Sequence, residues 1–491
     1  MFEGVKRFIR RRFGSMIGNN LIKTITDVIG SSNVTSDRMM SAISDWGALY
    51  MDDAPWLKSN PLTLGLPGVI SSEFARSVTV EMDVNITGSP MADYISEQFK
   101  KVKKDIRKTT EYACAFGGIV FKPYVDNGKI VTEIIKANDF YPTNFTADGK
   151  ITGAYFIYRI WKGKKIYSRL ERHELNGTHY VVTNKAYVSA FEESIGEPCS
   201  LSEVEEWKDI EPEVSIDDVD APLFAYFKMP FGNTTDPASP LGVSVYSRAI
   251  DKIAEADKQF QRLSWEYEGG ELAIDAAEEA FKRYNGEPVL PEGKERLFRV
   301  NNLDAATTKG MDLLKAWSPV LRDESFIRGL DRILIQIENA CYLSRGTLSD
   351  PTTVEKTGTE IRIMKQRSAV AVKDTQASLE DAINDLIYAM YSLASLYELA
   401  PIGEYNTSFM WDDSILVDAE TERARDQQEV VMELMAKYEY RMKWYGEDEE
   451  TAKAKLEEMK NPTDDEILGF GREIDDESQL GKVGDSNGKE Q

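Results

Sequence analysis

Histidine and cysteine are scarce in this 491-residue chain: two histidines, His173 and His179, and three cysteines, Cys114, Cys199 and Cys341. The cysteines are far apart, odd in number and without metal-ligand spacing, so the simplest account is reduced core residues in an intracellular setting. Both histidines fall in a segment that alternates like strands, where ordinary hairpin residues are expected. Long apolar runs are missing too. None approaches the roughly 18 to 20 residues needed to span a bilayer, and residues 1–13 carry too many charges for the core of a signal peptide. Basic charge is also short, with 59 Lys and Arg against 83 Asp and Glu, a formal net charge of −24. That argues against a protein whose task is tight binding to DNA phosphates, which takes clustered Lys and Arg. It leaves room for DNA passing nearby, because an acidic surface repels the duplex within a Debye length, roughly 8 Å at physiological salt.

Catalytic signatures are absent as well. The chain has no Gly-x-x-x-x-Gly-Lys-Ser/Thr phosphate loop, no His-Glu-x-x-His, no Gly-x-Ser-x-Gly elbow and no paired Cys-x-x-Cys. Gly469-Phe470-Gly471 is a fragment of a dinucleotide signature without its third glycine. Asp412-Asp413 and the other acidic clusters could hold Mg²⁺ for a nuclease, but neighbouring carboxylates in so acidic a chain are usually surface. The expectation is a soluble non-enzyme without catalytic residues, cofactor or metal.

What is present is a long helical stretch, residues 325–399, around which the chain is organised. In its first half Phe326, Leu330, Ile333, Leu334, Ile337 and Cys341 recur at three- and four-residue steps, with Arg328, Asp331, Arg332, Glu338 and Asn339 on the opposite side. Arg345-Gly346 supplies a positive last turn and a left-handed cap, and Asp350-Pro351 denies the chain further helix. After the polar loop, a capping-box pattern at Thr357 and Glu360 starts a second helix. Its stripe runs through Ile361, Met364, Val372, Leu379, Ile383, Leu386, Ile387, Met390, Leu393 and Tyr397 to Pro401. Such a helix is on the order of 55 Å long, about twice the width of a small domain. Small residues Ser368, Ala369, Ala371 and Ala377 allow close approach, and a subunit interface is the favoured reading.

In chain order, the fold class is α+β and mainly helical, with room for two to four domains. Residues 1–34 open as a basic amphipathic arm, which reads as a membrane or nucleic-acid contact or, more simply, as a solvated arm docking on an acidic neighbour. Helical patterns over residues 35–81 carry Trp46, Tyr50 and Trp56, expected to be core, and a charged helix is expected over 91–112. Strands are expected at 119–124, 129–135, 151–161, 167–174 and 180–187, with Asp126-Asn127-Gly128, Asp148-Gly149 and Asn176-Gly177 as hairpin signals of one antiparallel sheet. A buried strand is expected at 223–227. Ser239-Pro240 predicts a helix from Leu241 to Gly269 with the stripe Val245, Ala249, Ile253, Ala256, Phe260, Leu263 and Tyr267, partnered by 325–345. Between the two lies an insert, 271–319, with strands at 272–274 and 297–300, a short helix at 276–284 and an Asn285-Gly286 turn. A strand at 408–411, helices over 418–445 and 451–459, and an acidic disordered tail from 461 complete the chain.

Three stretches carry a resemblance: Ser239-Pro240-Leu241-Gly242-Val243-Ser244-Val245-Tyr246, Glu255-Ala256-Asp257-Lys258-Gln259, and Trp265-Glu266-Tyr267-Glu268-Gly269-Gly270. Together with Ser72-Glu73-Phe74-Ala75-Arg76, Glu111-Tyr112-Ala113-Cys114-Ala115 and Gly346-Thr347-Leu348-Ser349-Asp350-Pro351, in this order, the chain resembles portal proteins of long-tailed double-stranded-DNA phages, especially those of Gram-positive hosts. The match extends to about Trp411. The resemblance implies a portal-like subunit of a homo-oligomeric ring of about twelve copies, located at the capsid vertex of the virion and in host cytoplasm during assembly. By position, 35–240 is the wing, 241–270 and 320–346 the two stem helices, 271–319 the clip, and 347–358 the tunnel loop. Residues 359–417 are the long wing helix and strand, and 418–460 the crown.

The same resemblance implies the partners: terminase large subunit, major capsid and scaffold proteins, head-completion or adaptor proteins, and double-stranded DNA passing through without tight binding; no membrane is involved. It places Ser349, Thr352, Thr353, Val354, Glu355, Lys356 and Thr357 in the channel loop, and Glu278, Lys282, Arg283, Asn285 and Lys294 on the terminase-docking clip. The main rival is a non-viral helical scaffold that oligomerises through the same stripes, and a metal-dependent nuclease is the third class. The acidic tail has no counterpart in the family pattern.

Overall fold

The computed structural model describes residues 20–30, 34–58, 61–80, 82–277, 283–284, 287–288, 298–301, 314–351, 358–411 and 419–460, in two compact units that divide after Asp412. The acidic tail, Gly469, Gly471, Asp412 and Asp413 lie outside the described residues. A helix over residues 20–29 (α1) precedes Asp37–Tyr50 (α2), whose Ser36 cap accepts the Met39 amide at 3.2 Å. Leu66–Thr79 (α3) and Met82–Thr87 (β1) follow. Trp46 is core, at 2% exposure, whereas Tyr50 and Trp56 stay half-buried. The charged helix expected over 91–112 is two helices, Pro90–Lys104 (α4) and Ile106–Phe116 (α5), broken at Asp105. The break lets Ile95 and Phe99 on one helix and Ala113 and Cys114 on the other each turn fully inward.

Gly117, at φ +84°, ends α5 and turns the chain into Gly118–Asp126 (β2) and Lys129–Lys136 (β3). Their two-residue connection has both Asn127 and Gly128 at positive φ, the backbone that a tight hairpin requires. Next come Phe140–Phe145 (β4), Ile151–Lys162 (β5), Lys165–Asn176 (β6), His179–Ser189 (β7), Glu197–Cys199 (β8), Glu213–Ile216 (β9) and Ala225–Lys228 (β10). These strands form two sheets, where the sequence pattern suggested one. The first has the order β4-β5-β6-β7-β8 with β9 also on β7, and the second the order β10-β2-β3. The buried strand expected at 223–227 is β10, paired antiparallel with β2.

A buried charge cluster ties the sheets together. Lys122 of β2 lies 2.7 Å from Glu171 Oε1 of β6, and Arg169 lies 2.9 Å from Glu171 Oε2. His173 donates from Nε2 to Glu171 and accepts from the Tyr180 hydroxyl at Nδ1, each at 2.7 Å. Burial pushes the His173 pKa down, so its ring is neutral. His173 is therefore an interior hydrogen-bonding residue, while His179, 2.6 Å from Asp217, is the exposed hairpin residue expected.

Asp139, in the short turn between β3 and β4, shows the opposite perturbation. Burial raises its pKa to about 6, against the pull of Lys136, Asn138 and Arg159. A carboxyl that holds its proton more tightly folded than unfolded contributes stability below its ordinary pKa of about 3.9, and that contribution is lost as pH rises through about 6. Asp139→Asn is expected to recover about 2 kcal/mol at pH 7.5 and almost nothing at pH 4. Thermal unfolding at the two pH values reads the difference; an equal gap at both would exclude this origin.

Ile250–Gly269 (α6) leads into the insert, where Ala273–Ala277 (β11), Arg283–Tyr284 (β12), Glu287–Pro288 (β13), Phe298–Asn301 (β14) and Leu314–Trp317 (β15) are strands. The sheet order is β14-β11-β15, with β12 and β13 paired as a separate two-stranded sheet, and the expected Asn285-Gly286 turn lies outside the described residues. The short helix expected over 276–284 is overturned at both ends, because Ala276 and Ala277 finish β11 and Arg283 and Tyr284 pair across from Pro288 and Glu287.

Asp323–Ala340 (α7) and Gly358–Leu396 (α8) follow. At 39 residues, α8 is about 58 Å long. From Val372 to Leu393 its expected stripe is buried, and the helix packs on α3, α4, β2 and β10. Over this part the apolar face is covered by these elements of the same chain, not left for a neighbouring subunit. Tyr397 is exposed, and the Ile361 and Met364 side chains lie outside the described residues. Asn406–Trp411 (β16) closes the unit by pairing antiparallel with β1, Met82 opposite Trp411.

The second unit contains Ala419–Val431 (α9), Lys437–Tyr445 (α10) and Glu449–Lys460 (α11). The single helix expected over 418–445 is thus two, with Glu433 at positive φ in the break. Buried Asp426 on α9 receives Lys443 Nζ at 2.7 Å and Trp444 Nε1 at 2.9 Å from α10. Hydrogen bonds from Arg441 and Lys455 pull the Glu447 carboxyl down to about 2.

Candidate stem hairpin and loop root

The chain reaches α6 through a close crossing of backbones. Gly242 meets Gly117 so tightly that a Cβ on Gly117 would fall 2.5 Å from the Gly242 oxygen. Leu241, Val243, Val245 and Tyr246 are all buried, held by Val245 N–H to the Cys114 carbonyl at 3.0 Å and Tyr246 O–H to the Trp46 carbonyl at 2.7 Å. The expected helix start at Leu241 is therefore displaced to Ile250. Ser239, which reads as an N-cap, instead lies 3.1 Å from the Thr35 hydroxyl; Gly242 and its neighbours serve core packing.

Once begun, α6 is tied to the body by Asp257, 2% exposed. Its carboxylate accepts from Trp56 Nε1 at 2.8 Å, Thr63 Oγ1 at 2.9 Å and the Leu64 amide at 2.9 Å. α7 runs alongside α6. At their far end Arg322 grips Glu266 with Nε at 3.0 Å and a terminal nitrogen at 2.7 Å, and this hydrogen bonding holds the Glu266 carboxyl below its ordinary range. Of the expected α7 stripe, Ile337 and Cys341 are buried, but Phe326, Leu330, Ile333 and Leu334 remain half-exposed. On the same hairpin Trp265 is 71% exposed and Ile327 49%.

α7 stops at Ala340, five residues before the Arg345-Gly346 signal. Tyr342 takes the left-handed conformation, φ +59°, and stacks on Phe231 with centroids 4.6 Å apart. Arg248 donates to its hydroxyl at 2.9 Å and the Arg367 guanidinium of α8 sits 5.5 Å from its ring. These residues border a groove of about 530 Å³ beside Val370 and Asp374.

Beyond Tyr342 the chain folds back onto α7. Glu338, which the helical pattern assigned to the polar side, is 1% exposed. Its Oε1 accepts the amides of Gly346 at 3.1 Å, Leu348 at 2.6 Å and Ser349 at 2.8 Å, and its Oε2 accepts the Ser349 hydroxyl at 2.9 Å. Asp331 accepts the Asp350 amide at 2.9 Å. Of the loop residues named from sequence, Ser349 is thus a buried anchor. Thr352, Thr353, Val354, Glu355, Lys356 and Thr357 lie outside the described residues, as do Glu278, Lys282, Asn285 and Lys294 of the insert; Arg283 lies on β12. The sequence shows Glu338 only on the polar side and Asp257 only within a resembling stretch, since an acidic residue on a helix in an acidic chain carries no local mark of burial, and it gives no sign of the role of Tyr342.

The buried carboxylates of this region hold backbone and side-chain donors in place, which is a structural use. Among the described residues no group of three or more His, Cys, Asp or Glu could hold a metal ion, and no helix is long and apolar enough to cross a membrane. The family model described as phage portal protein, SPP1 Gp6-like, matches residues 93–466. The chain belongs to this family of phage portal proteins, which are structural components of the virion and not enzymes. Among solved structures it is similar to a chain from the neck of a native GTA particle computed with C12 symmetry, at 11% identity and a TM-score of 0.40, covering 81% of this chain and 92% of that one. No curated protein sequence matches it.

Proposed function

We propose that this chain builds a closed ring at one capsid vertex and lines the channel through which a packaging motor drives double-stranded DNA in and through which the DNA later leaves. Alongside membership of the portal family, the observation that supports this most is the α6–α7 hairpin. Its apolar stripe is only half covered by its own chain, with Phe326, Leu330, Ile333, Leu334, Ile327 and Trp265 left for neighbours. Head-to-tail repetition of such a surface closes a ring when the rotation allows it and gives filaments when it does not.

On this reading α6 and α7 are the stem, and residues 271–319 the clip that meets the terminase large subunit and afterwards head-completion proteins. Residues 347–358 are the tunnel loop, the sheets and α8 the wing, and 418–460 the crown; capsid and scaffold proteins surround the ring in a phage of a Gram-positive host. Negative-stain electron microscopy with mass photometry on the purified protein tests it. Closed rings with a central hole, about twelve copies each, are the expected result; filaments or open arrays would favour the scaffold alternative.

Lys356 is the one basic residue in 347–358, and on the same reading it meets the phosphate backbone, one per subunit. Lys356→Ala is expected to lower packaging yield severalfold. A normal rate and yield would leave Lys356 as a partner of Glu355 or Glu360.

A further inference from the structure

We infer that Glu338 is the positioning residue of the loop, fastening residues 346–349 to α7 so that the loop root travels with the stem hairpin and not with α8. The carboxylate is 1% exposed, and among the described residues no Lys or Arg forms a salt bridge with it. Its charge is met instead by three amides from one short stretch, Gly346, Leu348 and Ser349, and by the Ser349 hydroxyl. Successive amides converging on one anion form a nest, and here the anion is supplied by the helix itself. Hydrogen bonds to an ionised acceptor are the strong ones, and removing the acceptor leaves buried donors unsatisfied.

The direction of the chain follows from the second carboxylate. Asp331 lies seven residues before Glu338, so on the same face of α7, and takes the Asp350 amide at 2.9 Å. Residues 346–350 therefore run back along two helical turns, about 10 Å. α8 packs on α3, α4, β2 and β10 in the same compact unit. Between the end of α7 and α8 stands Tyr342, stacked on Phe231 and faced by Arg367. A displacement of α7 is thus passed to residues 346–350 through Glu338 and Asp331, whereas none of these hydrogen bonds reaches α8.

The consequence for DNA translocation rests on the tunnel-loop reading of residues 347–358; the fastening itself does not. Hydrogen–deuterium exchange on the full-length protein, followed in peptides covering 343–351 and 379–394, reads the fastening. Glu338→Ala is expected to speed exchange of the 346, 348 and 349 amides at least tenfold while the α8 peptides stay unchanged. Glu338→Gln, which keeps the shape but replaces one acceptor by a donor, is expected to fall between, and Ser349→Ala to leave the Leu348 amide protected. Unchanged exchange at 346–349 in both Glu338 variants would overturn the inference, as would equal acceleration in α8. In parallel, Glu338→Ala rings are expected to stay closed by electron microscopy while packaging falls at least tenfold; closed rings with normal packaging would overturn the positioning role. Failure of the wild-type protein to form rings would count against the ring reading and leave the exchange result standing.

Discussion

Gly242→Ala is expected to leave little folded protein, with a loss of at least about 4 kcal/mol in whatever fraction remains soluble. The reason is a three-way stacking of main chain. A Cβ at position 242 would overlap the Gly117 carbonyl oxygen and come within 2.9 Å of the Met229 oxygen and 3.0 Å of its nitrogen. None of these atoms is the movable end of a side chain. Gly117 cannot retreat, because its own conformation at φ +84° is needed to end α5, and its carbonyl accepts the Met229 amide at 3.1 Å. The Gly242 amide in turn donates to the Tyr226 hydroxyl oxygen at 3.0 Å. Forcing the strands apart breaks both bonds and unseats Leu241, Val243 and Val245 from the core. Denaturant unfolding of the soluble fraction is the measurement, and a midpoint corresponding to less than about 1 kcal/mol of loss would show that the crossing can relax. The position matters beyond stability, because this crossing sets the line along which the chain enters α6.

The same crossing shows where sequence reasoning stopped. Ser239-Pro240 was legible as a helix start, which put Gly242 inside the expected helix, and that signal is local. What displaces the helix to Ile250 is burial of residues 241–246 against Cys114 and Trp46, partners 130 and 200 positions away. Strands β5, β6 and β7 were readable because their alternation is punctuated by Asp148-Gly149 and Asn176-Gly177, and α8 because Leu379, Ile383, Leu386, Ile387 and Met390 keep a helical period. The pairing of β1 with β16 joins Met82 to Trp411, and nothing in either segment announces the other. Breaks without Gly or Pro were also invisible: Asp105 between α4 and α5, and Tyr342 after α7, which Phe231, Arg248 and Arg367 hold in place.

The loop was legible as a polar stretch ended by Pro351 and Gly358, yet its anchor was not. Glu338 falls on the polar face of α7 by periodicity, and the period is correct. Its burial comes from the returning chain, which covers that face after the helix has ended. A carboxylate covered by backbone amides leaves no apolar trace in the sequence, so pattern reading places it in solvent. Asp257 is the same case on α6, covered by Trp56, Thr63 and Leu64. Both are places where a helix is fixed by polar contacts to a loop, and the two together hold the α6–α7 hairpin at one end.

Removing the carboxylate at the centre of the two-sheet contact is the second large effect. Glu171→Ala is expected to destabilise the first unit by about 3 to 5 kcal/mol, the usual result of stripping one partner from a buried ion pair. Lys122, 6% exposed, would then face the Phe156 and Tyr158 rings, 5.3 and 4.8 Å from its ammonium, with Glu133 at 3.7 Å as its remaining anion. Arg169 and the His173 Nε2–H would lose their acceptor as well. Replacing the whole arrangement by apolar groups is a different matter. The double variant Lys122→Met, Glu171→Leu removes both charges together and is expected to recover at least half of the loss, because no ion is left buried alone. The pH dependence separates this cluster from Asp139. Burial opposes ionisation of Glu171, but Lys122, His173 and Arg169 outweigh it and hold the carboxyl well below its ordinary range. Its stabilisation is therefore complete above the unfolded value of about 4.3 and is lost only as pH falls through the much lower folded value. The gap between wild type and Glu171→Ala should stay constant from pH 8 to about pH 5 and narrow only in stronger acid. Urea denaturation across that range measures it, and a gap that closes already between pH 7 and 6 would mean that His173, not Glu171, carries the titration.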